Sequence, residues 1–178
     1  MGDFKTALAR TLRWEGGYSN DPVDRGGETY RGISRKNFPE WSGWITIGNL
    51  RPAGLDLDEN AQLQHDVEEF YRREFWNRVH GDALPDSVAA EVFDCAVNCG
   101  VGTAARFLQR SVGAQDDGAI GQDTLRATAG YIETRGIPAL VADLKQQRRD
   151  RYTRIAQNDP SQQRFLKGWL RRADEAVA

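Results

Sequence analysis

The chain has little with which to build a metal centre or a covalent scaffold. It carries two histidines and two cysteines in 178 residues. His65 and His80 stand apart, and neither lies in a ligand pattern. Cys95 and Cys99 are four apart in a stretch with helical character, where a disulfide has poor geometry. They read as small buried thiols of a chain made in a reducing compartment. No metal and no organic cofactor is expected. No apolar run approaches 18 residues, so no integral membrane segment is expected. Asp3 and Lys5 interrupt the N-terminal pattern, which therefore lacks the apolar stretch of a secretory signal peptide. Synthesis in the cytoplasm is the expectation, with any target outside it reached by another route. A formal net charge of -2 offers no general attraction for nucleic acid. Internal repeats and low-complexity tracts are also absent from the sequence.

What is present is enough for a real core. Hydrophobic residues make up 39% and charged residues 28%, and one compact domain of two lobes (1–178) is the default at this length. Phe4, Leu8 and Leu12 recur at helical spacing, so residues 3–14 read as an amphipathic helix with Asp3 as N-cap. Gly16-Gly17 supplies a left-handed stop. Turn signals at Asn20-Asp21-Pro22 and Asp24–Glu28, followed by the strand-like Thr29–Ile33, predict a small β-hairpin. Residues 34–54, where Gly43 and Gly48 interrupt the apolar Trp41, Trp44, Ile45 and Ile47, read as loop with a helical turn or two, Ser34 capping one. A long helix capped by Asp56 or Asp58 runs to about Asn77, with Leu63, Val67, Phe70, Tyr71 and Trp76 near one apolar stripe. Pro85 opens a helix to Gly100, nearly free of long charged residues after Glu91, which reads as the central buried helix. Further helices start at Thr103, stopped by Gly113, and at Pro138, a short one surrounds Thr124-Leu125, and Phe165, Trp169, Leu170 and Ala173 mark the last. The fold class is mainly α, or α+β counting the hairpin. Residues 140–178 hold nine Lys/Arg against five Asp/Glu. Such an excess can grip an anionic polymer, although solvated outer helix faces are the commoner use.

The chemistry centres on Glu15. A carboxylate on the last turn of a helix opposes the macrodipole, and Trp14 and Tyr18 beside it can exclude water. Both effects favour the protonated form, which a general acid requires. Asp24, in a polar turn beside Arg25, would stay ionised, and Thr29 could hold a water. If the hairpin folds back beside the helix end, all three line one cleft. Two carboxylates in unlike environments suit glycoside hydrolysis. Taken separately, Asp24 and Thr29 are ordinary turn residues, and Glu15 an ordinary surface charge. Tyr18 and Tyr30 either stack on sugar rings or pack the small lobe. Asn98 either donates its amide to a sugar group or caps its helix.

The strings Glu15-Gly16-Gly17-Tyr18, Asn20-Asp21-Pro22 and Asp24–Ser34 resemble the N-terminal signature of the glycoside hydrolase family 108 N-acetylmuramidases, which are phage endolysins and secretion-associated muramidases. The resemblance continues through Phe93–Gly100, Asp117–Gly121 with Thr124, and Phe165–Trp169. The second half is similar to the predicted peptidoglycan domain usually attached in that family. The resemblance implies a lysozyme-like fold, with residues 1–90 catalytic and 91–178 a helical part resembling a peptidoglycan-binding domain. It implies cleavage between N-acetylmuramic acid and N-acetylglucosamine, with Glu15 as acid. The Glu–Asp–Thr set is also similar to that of T4-type phage endolysins, where one more residue separates Asp from Thr. Thr29 and Tyr30 therefore both stand for the third role, and Asp21 and Glu28 both stand beside Asp24.

The leading expectation is an endolysin-type muramidase, monomeric, acting on peptidoglycan in the periplasm after export by a holin or a secretion system. The alternatives are a lytic transglycosylase or chitinase of the same fold, or a non-catalytic wall-binding accessory protein. Asp24 favours hydrolysis, because a transglycosylase needs no water-directing carboxylate.

Overall fold

The structure, a computed structural model, describes residues 1–20 and 27–175. Asp24, Asp21, Pro22 and Arg25 lie outside the described residues. Among those described, the chain forms α1 (Phe4–Leu12), three two-residue strands β1 (Tyr18–Ser19), β2 (Thr29–Tyr30) and β3 (Ile33–Ser34), and then α2 (Gly43–Leu50) and α3 (Ala61–Tyr71). Short π and 3-10 turns follow, then α4 (Asp86–Cys99), α5 (Val101–Val112), α6 (Gln122–Arg135), α7 (Ile137–Asn158) and α8 (Gln163–Asp174). The fold class is mainly α with one small antiparallel sheet, as the periodicity predicts. The chain divides into two compact units, Leu8–Glu74 and Met1–Ala7 with Phe75–Ala178.

Asp3 caps α1 as expected, accepting from Thr6 N at 3.2 Å and from the Thr6 hydroxyl at 2.6 Å. The helix ends earlier than its pattern suggests. Arg13 N bonds to Arg10 O and Trp14 N to Thr11 O, three-residue spans that tighten the last turn. Glu15 therefore lies in the bend beyond the helix rather than on its last turn. Gly16 and Gly17 are absent from the left-handed glycines, so the expected stop is not used.

The predicted hairpin is a three-stranded sheet in the order β1-β2-β3. Thr29–Ile33 is not one strand: Arg31 and Gly32 take φ of 48° and 77° and turn the chain back on itself. Positive φ at both central residues is the signature of the tight hairpin turn whose twist matches the flanking strands. Tyr18 pairs with Tyr30 and Ser19 with Thr29 across β1–β2, and Thr29 with Ser34 across β2–β3. Ser34 thus belongs to a strand, not to a short helix.

The core of the Leu8–Glu74 unit is aromatic. Phe38 meets Phe70 edge to face at 4.7 Å, and Trp41 meets Trp44 at 5.1 Å. Both indoles find acceptors, Trp41 on Asp66 O at 3.2 Å and Trp44 on Phe38 O at 2.8 Å. A β-carbon at Gly43 would collide with the Trp41 ring. The glycine that weakened the helical pattern is what lets that ring lie down. The cap of α3 is neither Asp56 nor Asp58 but Asn60, whose side chain accepts from Leu63 N at 2.9 Å. Asp56 instead accepts from Asp58 N at 2.8 Å, an Asx-turn that frees the Asp58 carboxylate for other partners.

In the larger unit nine of the fourteen residues of α4 are buried, which makes it the central helix. Helices α5 and α7 pack on it, and α8 packs on α7. Two of the buried residues are acids, Glu91 at 2% and Asp94 at 1% exposure. Asp94 is paired with Arg148 at 2.6 Å and Arg172 at 2.8 Å, and Glu91 lies 3.6 Å from Lys145. Burial raises the Asp94 carboxyl, but the Arg172 hydrogen bond and the charge of Arg148 outweigh it and hold the group below its ordinary value. Gly113 ends α5 in the left-handed conformation, as expected. The helix expected to be short around Thr124-Leu125 runs fourteen residues, because its buried positions are Thr124 and Thr128, which no apolar pattern marks.

Candidate active site

Glu15 is half-buried, between the end of α1 and strand β1. Its carboxylate lies against the turn that joins β2 to β3. A β-carbon on Gly32 would stand 2.6 Å from Glu15 Oε2 and 2.9 Å from the Tyr71 hydroxyl. Only a glycine leaves room for both groups, and only a glycine takes φ of 77° there without penalty. The turn is held from two directions. Arg31 N donates to Gly17 O at 3.3 Å, and the Tyr71 hydroxyl, at the end of α3, donates to Arg31 O at 2.6 Å. A general acid needs a fixed position, and this backbone turn with its two braces supplies one.

Thr29 is half-buried on β2. Alternation along the strand turns it to the face opposite the buried Tyr30. Tyr30 is 1% exposed and its ring stacks on Trp41 at 6.5 Å. Its hydroxyl donates to Asp58 at 2.8 Å and accepts from Gln64 at 3.0 Å. Of its two expected uses, packing is the one its surroundings allow, since no ring face is open to a sugar. Arg31 joins the same cluster with a 2.9 Å ion pair to Asp58. The Tyr30 hydroxyl and then Arg31 keep the Asp58 carboxyl below its ordinary value.

Tyr18 keeps a half-buried ring with the Arg51 guanidinium over it at 3.9 Å. Its hydroxyl donates to Glu28 at 2.9 Å and accepts from Arg51 at 2.5 Å. Glu28 also receives Arg35 at 2.7 Å. Burial would raise the Glu28 carboxyl, but Arg35 and Tyr18 hold it below its ordinary value. Glu28, one of the alternatives to Asp24, is thus occupied as the anion of a structural network. Asp24 and Asp21 lie outside the described residues.

Asn98 belongs to the other compact unit. It is exposed in the last turn of α4, and the cap there is Gly100 rather than Asn98. Its Oδ1 accepts the Tyr152 hydroxyl at 2.5 Å and the Cys99 thiol at 3.5 Å, which fixes the orientation of its amide.

The residues that the sequence reading missed are Tyr71, Asp58 and Gln64. Tyr71 was legible only as part of the apolar stripe of α3, and nothing in its spacing signals that its hydroxyl reaches a turn 40 residues earlier. Among the described residues no group of His, Cys, Asp and Glu is arranged to hold a metal, and no helix is long and apolar enough to cross a membrane.

Comparison with known proteins gives the family and the fold. The family model described as "Glycosyl hydrolase 108" matches residues 8–100, more than half of the chain. The model described as "Predicted Peptidoglycan domain" matches residues 103–174. No curated protein matches the sequence. Among solved structures, Brucella abortus SagA is similar over 98% of each chain, with a TM-score of 0.60 and 24% identity, a likeness of fold. The fold is lysozyme-like and mainly α, as the resemblance implied. The chain belongs to the glycosyl hydrolase 108 family, and with its predicted peptidoglycan domain it is a glycoside hydrolase acting on peptidoglycan, a muramidase.

Proposed function

We propose that Glu15 is the general acid that protonates the leaving oxygen when this muramidase cleaves the bond between N-acetylmuramic acid and N-acetylglucosamine. The observation that carries the assignment is the contact of its carboxylate with the braced β2–β3 turn at Gly32. A carboxyl with its oxygen against a rigid backbone gives up little entropy when it meets a glycosidic oxygen. Asp24 either stabilises the developing oxocarbenium charge or orients water, and the Thr29 hydroxyl holds that water. Tyr18, set by Arg51 and Glu28, offers its remaining ring surface to a sugar, and Asn98, set by Tyr152, separately offers its amide N–H to a sugar group.

The enzyme acts as an endolysin-type monomer on the periplasmic wall, reached through a holin or a secretion system. What supports this finer reading is the resemblance of Glu15–Tyr18 and Asp24–Ser34 to the endolysin signature.

The test is the digestion of purified sacculi by the wild type and by Glu15→Gln. The expected products of the wild type are reducing muramic acid ends, detected by mass spectrometry. The variant should lose about 10²–10⁴-fold in rate, the ordinary worth of a positioned proton donor, while still folding. Anhydro-muramyl ends would establish a transglycosylase instead, and an unchanged rate in the variant removes Glu15 from the reaction.

A further inference from the structure

Helices α5 and α7 pack side by side within the larger unit. The stripes that face each other carry Thr103, Arg106 and Arg110 on α5, and Gln147, Arg151 and Arg154 on α7. These positions repeat at spacings of three, four and seven, the rhythm that normally sets an apolar seam between helices. Here that rhythm is occupied by guanidinium groups. The seam opens into a cavity of about 180 Å³ lined by four arginines and a single acid, Asp150.

The four arginines are not held alike. Arg106 and Arg110 share one carboxylate, Asp116, at 3.2 and 2.6 Å, and Arg106 also donates to Asp117 O at 3.1 Å. Their forks are thus set in place by Asp116, and the Asp117 carboxylate, which Arg106 helps to hold below its ordinary value, is the second negative charge beside them. Arg151 and Arg154 make no hydrogen bond or salt bridge among the described residues. Asp150 is engaged by Gln146 at 2.8 Å. The Gln147 amide spans the seam, donating to Phe107 O at 2.9 Å and Ser111 Oγ at 2.7 Å, so the two walls are tied together. Four guanidiniums against three carboxylates (Asp116, Asp117 and Asp150) leave an excess of positive charge, and Arg151 and Arg154 carry it into a small, braced opening. Arginines gathered so closely repel one another, and an anion with planar, paired oxygens removes that cost best.

The polymer on which this enzyme acts offers such a group. Its sugar strands are nearly uncharged, and its negative charge sits on the free carboxylates of the short peptides that branch from them. The cavity is smaller than the roughly 300 Å³ at which pockets for drug-sized ligands begin. It suits one amino-acid end rather than a disaccharide. We infer that the α5–α7 seam is a non-catalytic binding site for the stem-peptide carboxylates of peptidoglycan, with Arg151 and Arg154 as the groups that take the incoming anion. The inference rests on the reading of the protein as a peptidoglycan hydrolase and assigns its helical half a ligand chemistry and a location. A site of this kind retains the enzyme on the wall between cleavage events by raising its local concentration.

The experiment is co-sedimentation of the full chain carrying Glu15→Gln, which leaves the wall intact, with purified sacculi in three forms: native, stripped of phosphate-containing wall polymers, and stripped with the peptide carboxylates converted to amides. The same chain with Arg151→Gln and Arg154→Gln added is measured beside it. Amidation and the double substitution should each weaken binding about tenfold, as expected for one strong charge-assisted pair, and together should weaken it little further. Binding to native and stripped sacculi should be alike. Equal binding to amidated sacculi, or unimpaired binding by the double variant, overturns the site. So does loss of binding on stripping alone, which would make phosphate the ligand. The amidation arm needs no arginine variant and decides the question even if the double variant unfolds. Product analysis with the wild type scores the muramidase reading separately, so failure of one is not mistaken for failure of the other.

Discussion

Glu15 and Gly32 occupy one space: Oε2 of the acid lies 2.6 Å from where a β-carbon on the glycine would be. The consequence is that a methyl group at residue 32 would act on the proposed acid directly. Gly32→Ala must either push the carboxylate aside or distort a turn at φ of 77°. The backbone penalty is about 1–2 kcal/mol and overpacking adds about 1–3 kcal/mol. Because displacement of a catalytic group by about 1 Å can cost about 10²-fold, lysis should fall by about that factor. Urea unfolding and a sacculus-lysis assay read the two effects. A variant with wild-type lysis would show that the contact does not position the acid.

Tyr71→Phe keeps the ring and removes only the hydroxyl that donates to Arg31 O at 2.6 Å. The stability loss should be about 0.5–1.5 kcal/mol, the net worth of one such hydrogen bond. The activity loss should be larger in proportion, because the turn that contacts Glu15 loses a brace. The check is kcat on sacculi at a temperature where both proteins are fully folded. A kcat change no greater than that of a distant variant of equal stability would refute the brace.

Asp94 is the anion that answers Arg148 and Arg172 inside the larger unit. Asp94→Ala leaves both guanidiniums buried without it and should cost about 3–5 kcal/mol. The native carboxyl is held below its ordinary value. Its contribution is therefore complete above the unfolded-state value near 3.8 and is lost as pH falls through the lower folded one. Wild-type stability, followed by denaturant unfolding between pH 5 and pH 2 (roughly the range in which linked carboxylates titrate), should drop more steeply than that of Asp94→Asn. Parallel profiles would remove Asp94 from the acid transition.

Cys95 and Cys99 are both free, the first buried and the second partly accessible. The Cys95 thiol donates to Cys99, which lowers the Cys99 thiol and raises that of Cys95. Burial works against the lowering, and Tyr152 and the nearby arginines work with it. Alkylation of the native protein at neutral pH should therefore modify Cys99 first, since the thiolate is the nucleophile. Peptide mapping after brief iodoacetamide treatment reads the ratio, which should favour Cys99 by at least about tenfold, given how reactivity follows thiolate fraction and access. Equal labelling would contradict the hydrogen-bonded pair.

Much of the fold was open to reading along the chain. Asp3 as a cap, Gly100 and Gly113 as stops and α4 as the central helix all follow from local chemistry, because caps, left-handed glycines and apolar periodicity act within a few residues. Residues 34–54 resisted, since Gly43 and Gly48 interrupt the pattern. At Gly43 the interruption is a packing requirement of Trp41. The same limit applied to α6, whose buried threonines carry no hydrophobic signal.

By itself the sequence determined the mainly helical class, the position of the small sheet after the first helix, and the Glu15–Ser34 signature that marks a glycosidase family. These are properties of neighbouring residues and survive without knowledge of what lies opposite. The tertiary structure alone decided that the Glu15 carboxylate touches Gly32, that Tyr71 supports the turn from 40 residues away, that Tyr30 is packed inside, and that Asp94 is neutralised by two arginines from α7 and α8. Each of those is a meeting of side chains far apart along the chain. Its energy depends on distance, burial and angle, which residue order does not contain.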